Sequence, residues 1–218
     1  MEVFYEEVLA ITLRTLWISG TATILATSWS IPLSLVLISS KNKVSVFIQD
    51  FFNALISLPT VVLGLALYLM LSKSGPLGFL SLLYTPLAIS IGQSILITPI
   101  LVSMITSSFQ KLRDEVWETA IALGASEFQA SIALLKEGAL LLIRAVLAGF
   151  NRAVGELGVA LIVGGNIKGF TRVLTTTIAL ELTKGNFELA IYLGVILLTL
   201  STIITVAIRS LSIRGAYS

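Results

Sequence analysis

Residues 118–130 read ETAIALGASEFQA, a run rich in small residues set between two long apolar stretches of the same chain. Gly124 suits the left-handed conformation that ends a helix. Ser126 followed three positions later by Gln129 fits the capping box that starts another. Ala120, Ala122, Gly124 and Ala125 keep the bend between them slender. The spacing therefore predicts two short helices meeting at a sharp turn. Such a knob can enter a cleft on another protein with little steric cost; the same residues would also make a plain elbow at a membrane surface.

The surroundings are those of a membrane protein. The chain has 218 residues, of which 56% are hydrophobic and only 12% charged, with a mean hydropathy of +0.99. A soluble domain carries about 25% charged residues, so membrane insertion explains the shortfall better than an oversized core. A single transmembrane domain over residues 1–218 is the default at this length. Net charge is only +2 and the 14 basic residues are dispersed, which gives nucleic-acid binding no support. The absence of histidine and cysteine removes disulfides, thiolate metal sites and the commonest general base. No metal site is expected. The N-terminus, MEVFYEEV, is acidic where a signal peptide is basic.

A helix needs roughly 20 apolar residues to cross the hydrocarbon core. Five candidates emerge, at about 16–39, 47–71, 82–107, 139–163 and 187–208. Pro32, Pro59 and Pro99 fall inside the first three and are read as interior kinks. The Lys/Arg bias between loops sets orientation. Lys41, Lys43, Lys111, Arg113, Lys136, Arg209 and Arg214 fall on one side, and Lys73, Lys168, Arg172 and Lys184 on the other. The expectation is an all-α membrane protein with five spans, its N-terminus outside and its C-terminus cytoplasmic. Residues 111–137 are then cytoplasmic, and 164–186 form an external connection carrying a short amphipathic or half-inserted helix around Thr175-Thr176-Thr177.

In this setting ETAIALGASEFQA resembles the EAA loop of ABC-transporter permeases, the E-A-A-x-x-x-G segment that docks on the ATPase subunit. Glu118, Thr119, Ala120 and Gly124 occupy the motif positions, with Thr119 in place of the usual alanine; Ala125 completes the turn and Phe128 falls where the family often has an aromatic. The familiar Leu-Pro ending is replaced by Lys136-Glu137. Leu58-Pro59-Thr60-Val61-Val62-Leu63-Gly64-Leu65 resembles the second-span proline segment of oxyanion permeases. The block from Phe150 to Gly158, FNRAVGELG, followed by Val163-Gly164-Gly165-Asn166-Ile167, resembles F-x-R-A-x-G-E-x-G…GGNI of molybdate and tungstate permeases. Gly169 to Thr176, GFTRVLTT, fits the tungstate branch best. The resemblance implies the type I ABC importer permease fold in a multi-pass protein of the cell membrane. It implies a homodimer, a cytoplasmic ABC ATPase dimer that binds ATP and magnesium, and an extracytoplasmic oxyanion-binding protein. It implies no cofactor in this chain, which lacks G-x-x-x-x-G-K-[ST]. Tungstate is the expected substrate, with molybdate or sulfate as alternatives. Gly164, Gly165, Asn166, Thr171, Arg172, Thr175 and Thr176 are assigned to an external gate.

Arg152 and Glu156 stand four apart inside the fourth span and so share a helical face with Arg144, Ala148 and Ala160. An ionised residue at the bilayer centre costs roughly 2.5–3.5 kcal/mol. The pair must therefore face protein or water. Two readings stand: an interhelical clamp, or an arginine that attracts the anion while Glu156 restrains it. Pro59, Gly64 and Gln93 join them as candidate path residues, with Gly92, Ser94 and Thr98 nearby. Ala145, Gly149 and Ala153 form a small-residue stripe of the packing type. Arg14 is expected to snorkel to the interface, and Lys168, Arg172 and Lys184 to steer an anion or meet the binding protein. Two other classes compete. An ion-coupled carrier often shows inverted repeats, which are absent, and an intramembrane enzyme lacks H-E-x-x-H and G-x-S-x-G.

Overall fold

The computed structural model describes residues 2–40 and 42–214, with side-chain surroundings for 5–40 and 42–210. Lys41 and the side chain of Arg214, both used in the charge argument, lie outside these. The chain folds into helices α1 (Glu2–Ser39), α2 (Lys43–Leu55), α3 (Thr60–Leu71), α4 (Pro86–Leu112), α5 (Glu118–Ala122), α6 (Glu127–Glu137), α7 (Ala139–Val154), α8 (Gly158–Gly164), α9 (Leu174–Thr183) and α10 (Phe187–Arg214). A π-helical turn, Arg113–Trp117, joins α4 to α5.

Among the described residues, three helices, α1, α4 with its extension to Ala122, and α10, are long and apolar enough to cross a membrane alone. Two further spans are bent pairs: α2 and α3 meet at 100°, α7 and α8 at 59°. The five expected spans are therefore present, but the second and fourth are broken. Pro59 is the N-cap of α3 and not an interior kink. Its ring denies the helix a donor and pushes Leu58 out of the α region, so the span divides there. α2 is amphipathic, with Phe47 and Phe51 exposed and Gln49 accepting from Gln110 of α4 at 3.1 Å. The fourth span divides at Gly155–Leu157, so Arg144, Ala148, Arg152, Glu156 and Ala160 are not one continuous helix face as expected. The first helix also starts at Glu2 and not near Leu16, and the third candidate starts at Pro86, capped by Thr85, whose Oγ1 accepts from Ala88 N at 3.2 Å.

Cross-helix bonds fix the directions. Ser90 Oγ donates to the Ile18 carbonyl at 3.1 Å, Trp29 Nε1 to Thr98 Oγ1 at 2.7 Å, and Arg113 Nη2 to the Ser39 carbonyl at 3.5 Å. Positions rise together, so α1 and α4 are parallel. α7 runs against α4: Gly138 abuts Phe109, and Gly149 abuts Leu101. The small stripe of Ala145, Gly149 and Ala153 is buried in this contact, as its packing reading anticipates. One end of the bundle therefore gathers Ser39, Lys43, Lys111, Arg113 and residues 118–138. The other gathers the start of α1, residues 72–85 and residues 164–186. Packing at the first of these ends centres on Phe109, Trp117, Ala130 and Leu134, which seat α6 and the π turn against the bundle.

Candidate functional site

At the Lys111 end, residues 118–137 fold as two short helices around a tight turn. Gly124 has φ +88°, a conformation that strains any residue with a Cβ. Ser126 Oγ accepts from Gln129 N at 3.3 Å, while Gln129 Oε1 accepts from Ser126 N at 2.9 Å, so the capping box is formed from both directions. Leu123 is 84% exposed and Phe128 74%. Two large apolar side chains thus flank the turn, and a Cβ on Gly124 would find open space. Ala120 and Ala125 share a backbone bond, Ala125 N to Ala120 O at 3.0 Å, and Thr119 Oγ1 donates back to the Glu115 carbonyl at 2.5 Å. Glu118 is held by Arg113, Nη1 to Oε1 at 3.3 Å. The Arg113 side chain is only 11% exposed. Nothing in the motif reading pointed to Arg113; a basic residue five positions before the motif glutamate is the signal that was available.

Midway along the bundle the two helix breaks meet. Gly158 packs against the first turn of α3: a Cβ there would lie 2.6 Å from Thr60 Oγ1 and 3.2 Å from Val61 N. Gly64 faces Ile162 and the Gly158 carbonyl. Between the breaks opens a groove of about 480 Å³ whose lining includes Thr60, Val61, Arg152, Glu156, Leu161 and Ile162. Glu156 is 2% exposed and Arg152 38%. Arg152 Nη1 donates to Glu156 Oε2 at 2.6 Å, and Val159 N donates to Glu156 Oε1 at 3.3 Å. The carboxylate thus caps the first turn of α8 while it neutralises Arg152. Its backbone carbonyl accepts from Thr175 Oγ1 of α9 at 2.8 Å. Gln93 Nε2 donates to the Ala153 carbonyl at 3.1 Å, so α4 grips the same break from behind. Arg152, Glu156 and the residue after Pro59 are brought together; Gln93 lies one layer behind them. Ser94 and Thr98 spend their hydroxyls on carbonyls within α4 and do not reach the groove.

At the far end, residues 164–186 hold themselves by their own hydroxyls. Thr171 Oγ1 donates to the Gly164 carbonyl at 2.6 Å and accepts from Ile167 N at 2.9 Å; Thr176 Oγ1 accepts from Val173 N at 3.0 Å. Gly165 and Asn166 both have positive φ, and Asn166 Nδ2 donates to the Thr176 carbonyl at 3.3 Å. The expected short helix is α9, its three threonines buried. Arg14, expected to snorkel, spends a donor on the 164–186 connection: its Nη1 donates to the Arg172 carbonyl at 2.9 Å. Lys168, Arg172 and Lys184 converge on one cavity of about 170 Å³. Two of them carry carboxylate partners, Glu7 to Lys168 at 2.9 Å and Glu181 to Lys184 at 2.8 Å. The Lys184 ammonium, with Asn186 as a further donor, holds the Glu181 carboxyl below its ordinary range against the opposing effect of burial.

The sequence is similar to those of known transport proteins. The family model described as binding-protein-dependent transport system inner membrane component matches residues 17–214. The chain is 38% identical over 208 residues to the tungstate uptake system permease protein TupB of Peptoclostridium acidaminophilum, covering 95% of this chain and 91% of that one. It is 37% identical over 196 residues to a probable anion ABC transporter permease protein of Haloferax volcanii, covering 88% and 84%. It is 36% identical over 159 residues to TupB of Campylobacter jejuni, covering 73% and 66%. With a family match spanning almost the whole helical bundle, the chain belongs to the binding-protein-dependent inner membrane components, the multi-pass permease subunits of ABC transporters, which transport and are not themselves enzymes.

Proposed function

We propose that this chain is the permease of a tungstate importer, working as a homodimer with two cytosolic ATPase subunits and an external binding protein. The observation that carries the substrate is the 38% identity to a tungstate permease along 95% of the chain. The motor contact is the exposed turn of Glu118–Ala125 with Leu123 and Phe128 on its flanks. In this reading the Lys111 end faces the cytoplasm and residues 164–186 face outward. The exposed apolar sides of α3 and α8, carrying Val61, Leu65, Leu69 and Leu161, pair across the twofold axis and enclose the groove between two copies.

Paired arginine chemistry suits passage. An exposed guanidinium would hold a divalent oxyanion and release it slowly. Arg152 neutralised by Glu156 leaves a weaker field in the groove, while backbone amides at the start of α3 supply donors. Tungstate delivered by the binding protein then meets a path without a deep trap.

The test is reconstitution in vesicles with the cognate ATPase and binding protein. ATP-dependent tungstate uptake, competed by molybdate more strongly than by sulfate, is expected. Uptake without ATP would reject the ABC reading; uptake of sulfate in preference to tungstate would reject the substrate.

A further inference from the structure

α1 is attached to the moving parts at both of its ends. We infer that Arg113 is a positioning residue through which the ATPase-facing segment drives α1, and that α1 carries this displacement to the external segment. The inference rests on the motor reading of residues 118–125 given above.

At the inner end, the Arg113 guanidinium lies between two elements. Nη1 meets Glu118 Oε1 at 3.3 Å and Asp114 at 3.6 Å. Nη2 reaches the Ser39 carbonyl, in the last turn of α1, at 3.5 Å, the long end of hydrogen-bonding range. Helix-terminal carbonyls have no partner in their own helix, and a cation placed there satisfies one and complements the dipole. Arg113 opens the π-helical turn, whose last residue, Trp117, is buried against the bundle. A turn of this type often sits at a functional site. Displacement of Glu118 therefore has a short, charge-assisted route to α1.

Elsewhere α1 is bonded to α4 by Ser90 Oγ to the Ile18 carbonyl and by Trp29 Nε1 to Thr98 Oγ1, both remote from residues 113–122. Without Arg113, the ATPase-facing segment keeps its apolar packing through Trp117 but loses its hydrogen bond to α1.

At the outer end α1 holds the external segment by three bonds. Arg14 Nη1 donates to the Arg172 carbonyl at 2.9 Å, Thr15 Oγ1 accepts from Leu174 N at 2.9 Å, and Glu7 pairs with Lys168 at 2.9 Å. α9, which begins at Leu174, in turn donates from Thr175 to the carbonyl of Glu156 in the α7–α8 break. Movement of α1 thus reaches the groove from the outside.

The chain lacks cysteine, so pairs of labelled cysteines report cleanly. The complex of permease, ATPase and binding protein is reconstituted with labels at Leu13 and Phe79, or at Leu13 and Ile167, all three exposed at the external end. On ATP binding the Leu13–Phe79 distance is expected to change, while Leu13–Ile167 stays fixed. A Leu13–Phe79 distance that does not respond in the unmutated complex overturns the inference without any variant. Arg113→Gln is expected to retain ATPase binding by co-purification and to hydrolyse ATP. Its uptake should fall about tenfold, so that the ATP hydrolysed per anion rises. Arg113→Lys, which keeps the charge, should recover part of the loss. An unchanged ratio in Arg113→Gln overturns the strut, as does equal loss of hydrolysis and uptake. Loss of ATPase binding in Arg113→Gln alone would make Arg113 a docking residue, which also overturns it. Failure of the unmutated chain to bind the ATPase would instead reject the motor reading.

Discussion

The carboxylate of Glu156 is almost wholly buried, and one guanidinium and one backbone N–H satisfy it. Arg152→Ala leaves that charge without its counter-ion, at a cost of about 1–3 kcal/mol for an unsatisfied buried acceptor. Glu156→Ala strips the cap from α8 and leaves a cation in the groove. If the pair is a clamp, the double change costs less than the sum of the two by roughly 0.5–3 kcal/mol. Thermal unfolding of the three variants in detergent measures this, and additive losses reject the clamp. Glu181 makes a pH prediction. Its carboxyl is held below the usual 4.5 by Lys184 and Asn186. A depressed folded value means the stabilisation is complete above the unfolded value and is lost as pH falls through the folded one. The unfolding midpoint should therefore hold steady from neutral pH down to about 5 and then drop more steeply than that of Glu181→Gln. Parallel acid profiles for the two proteins would show that the pairing does not stabilise α9.

Helix breaks dominate at the scale of elements. Hydropathy over a 20-residue window reports composition and is blind to direction, so five spans could be read while the bend in the fourth went unplaced and the one at Pro59 was read as a kink within a continuous helix. Pro59 carried a usable signal, because proline caps a new helix as readily as it kinks an old one. The break at Gly155–Leu157 had no proline; it exists because Glu156 turns back to cap α8 and Thr175 takes its carbonyl, a long-range bond that no local pattern contains. The 118–130 turn was readable for the opposite reason: glycine conformation and capping boxes act within four residues. Close approach of the breaks depends on Gly158. In Gly158→Ala the new methyl would lie 2.6 Å from Thr60 Oγ1, so α3 and α8 must part, at a cost of about 1–3 kcal/mol. Thr60→Ala removes the clashing oxygen and should restore part of the uptake lost in Gly158→Ala. No rescue, with uptake equally low in the double variant, would show that α3 and α8 are not held by this contact.

Across the whole molecule, five passages of the chain from one end to the other separate two chemically distinct faces. Lys43, Lys111, Arg113, Lys136 and Arg209 lie towards the end that carries the exposed turn; Lys73, Lys168, Arg172 and Lys184 lie at the other. At the second face, Lys168 and Lys184 are paired with Glu7 and Glu181, whereas Lys43 and Lys111 are exposed at the first. Short loops rich in Lys and Arg stay in the cytoplasm during insertion, so the turn around Leu123 is expected inside and the loop around Phe79 outside. Both side chains are prominent, Phe79 being 78% exposed, and a cysteine at either place meets an aqueous reagent directly. A membrane-impermeant thiol reagent should modify Phe79→Cys in intact cells and leave Leu123→Cys untouched until the membrane is opened. On the proposed motor role, ATP is available on one side only, so a turn held open by Gly124 and the Ser126–Gln129 box would receive work only from that side. Labelling of Leu123→Cys from outside would leave the turn facing a compartment without fuel, and the importer mechanism would have to be abandoned together with the orientation.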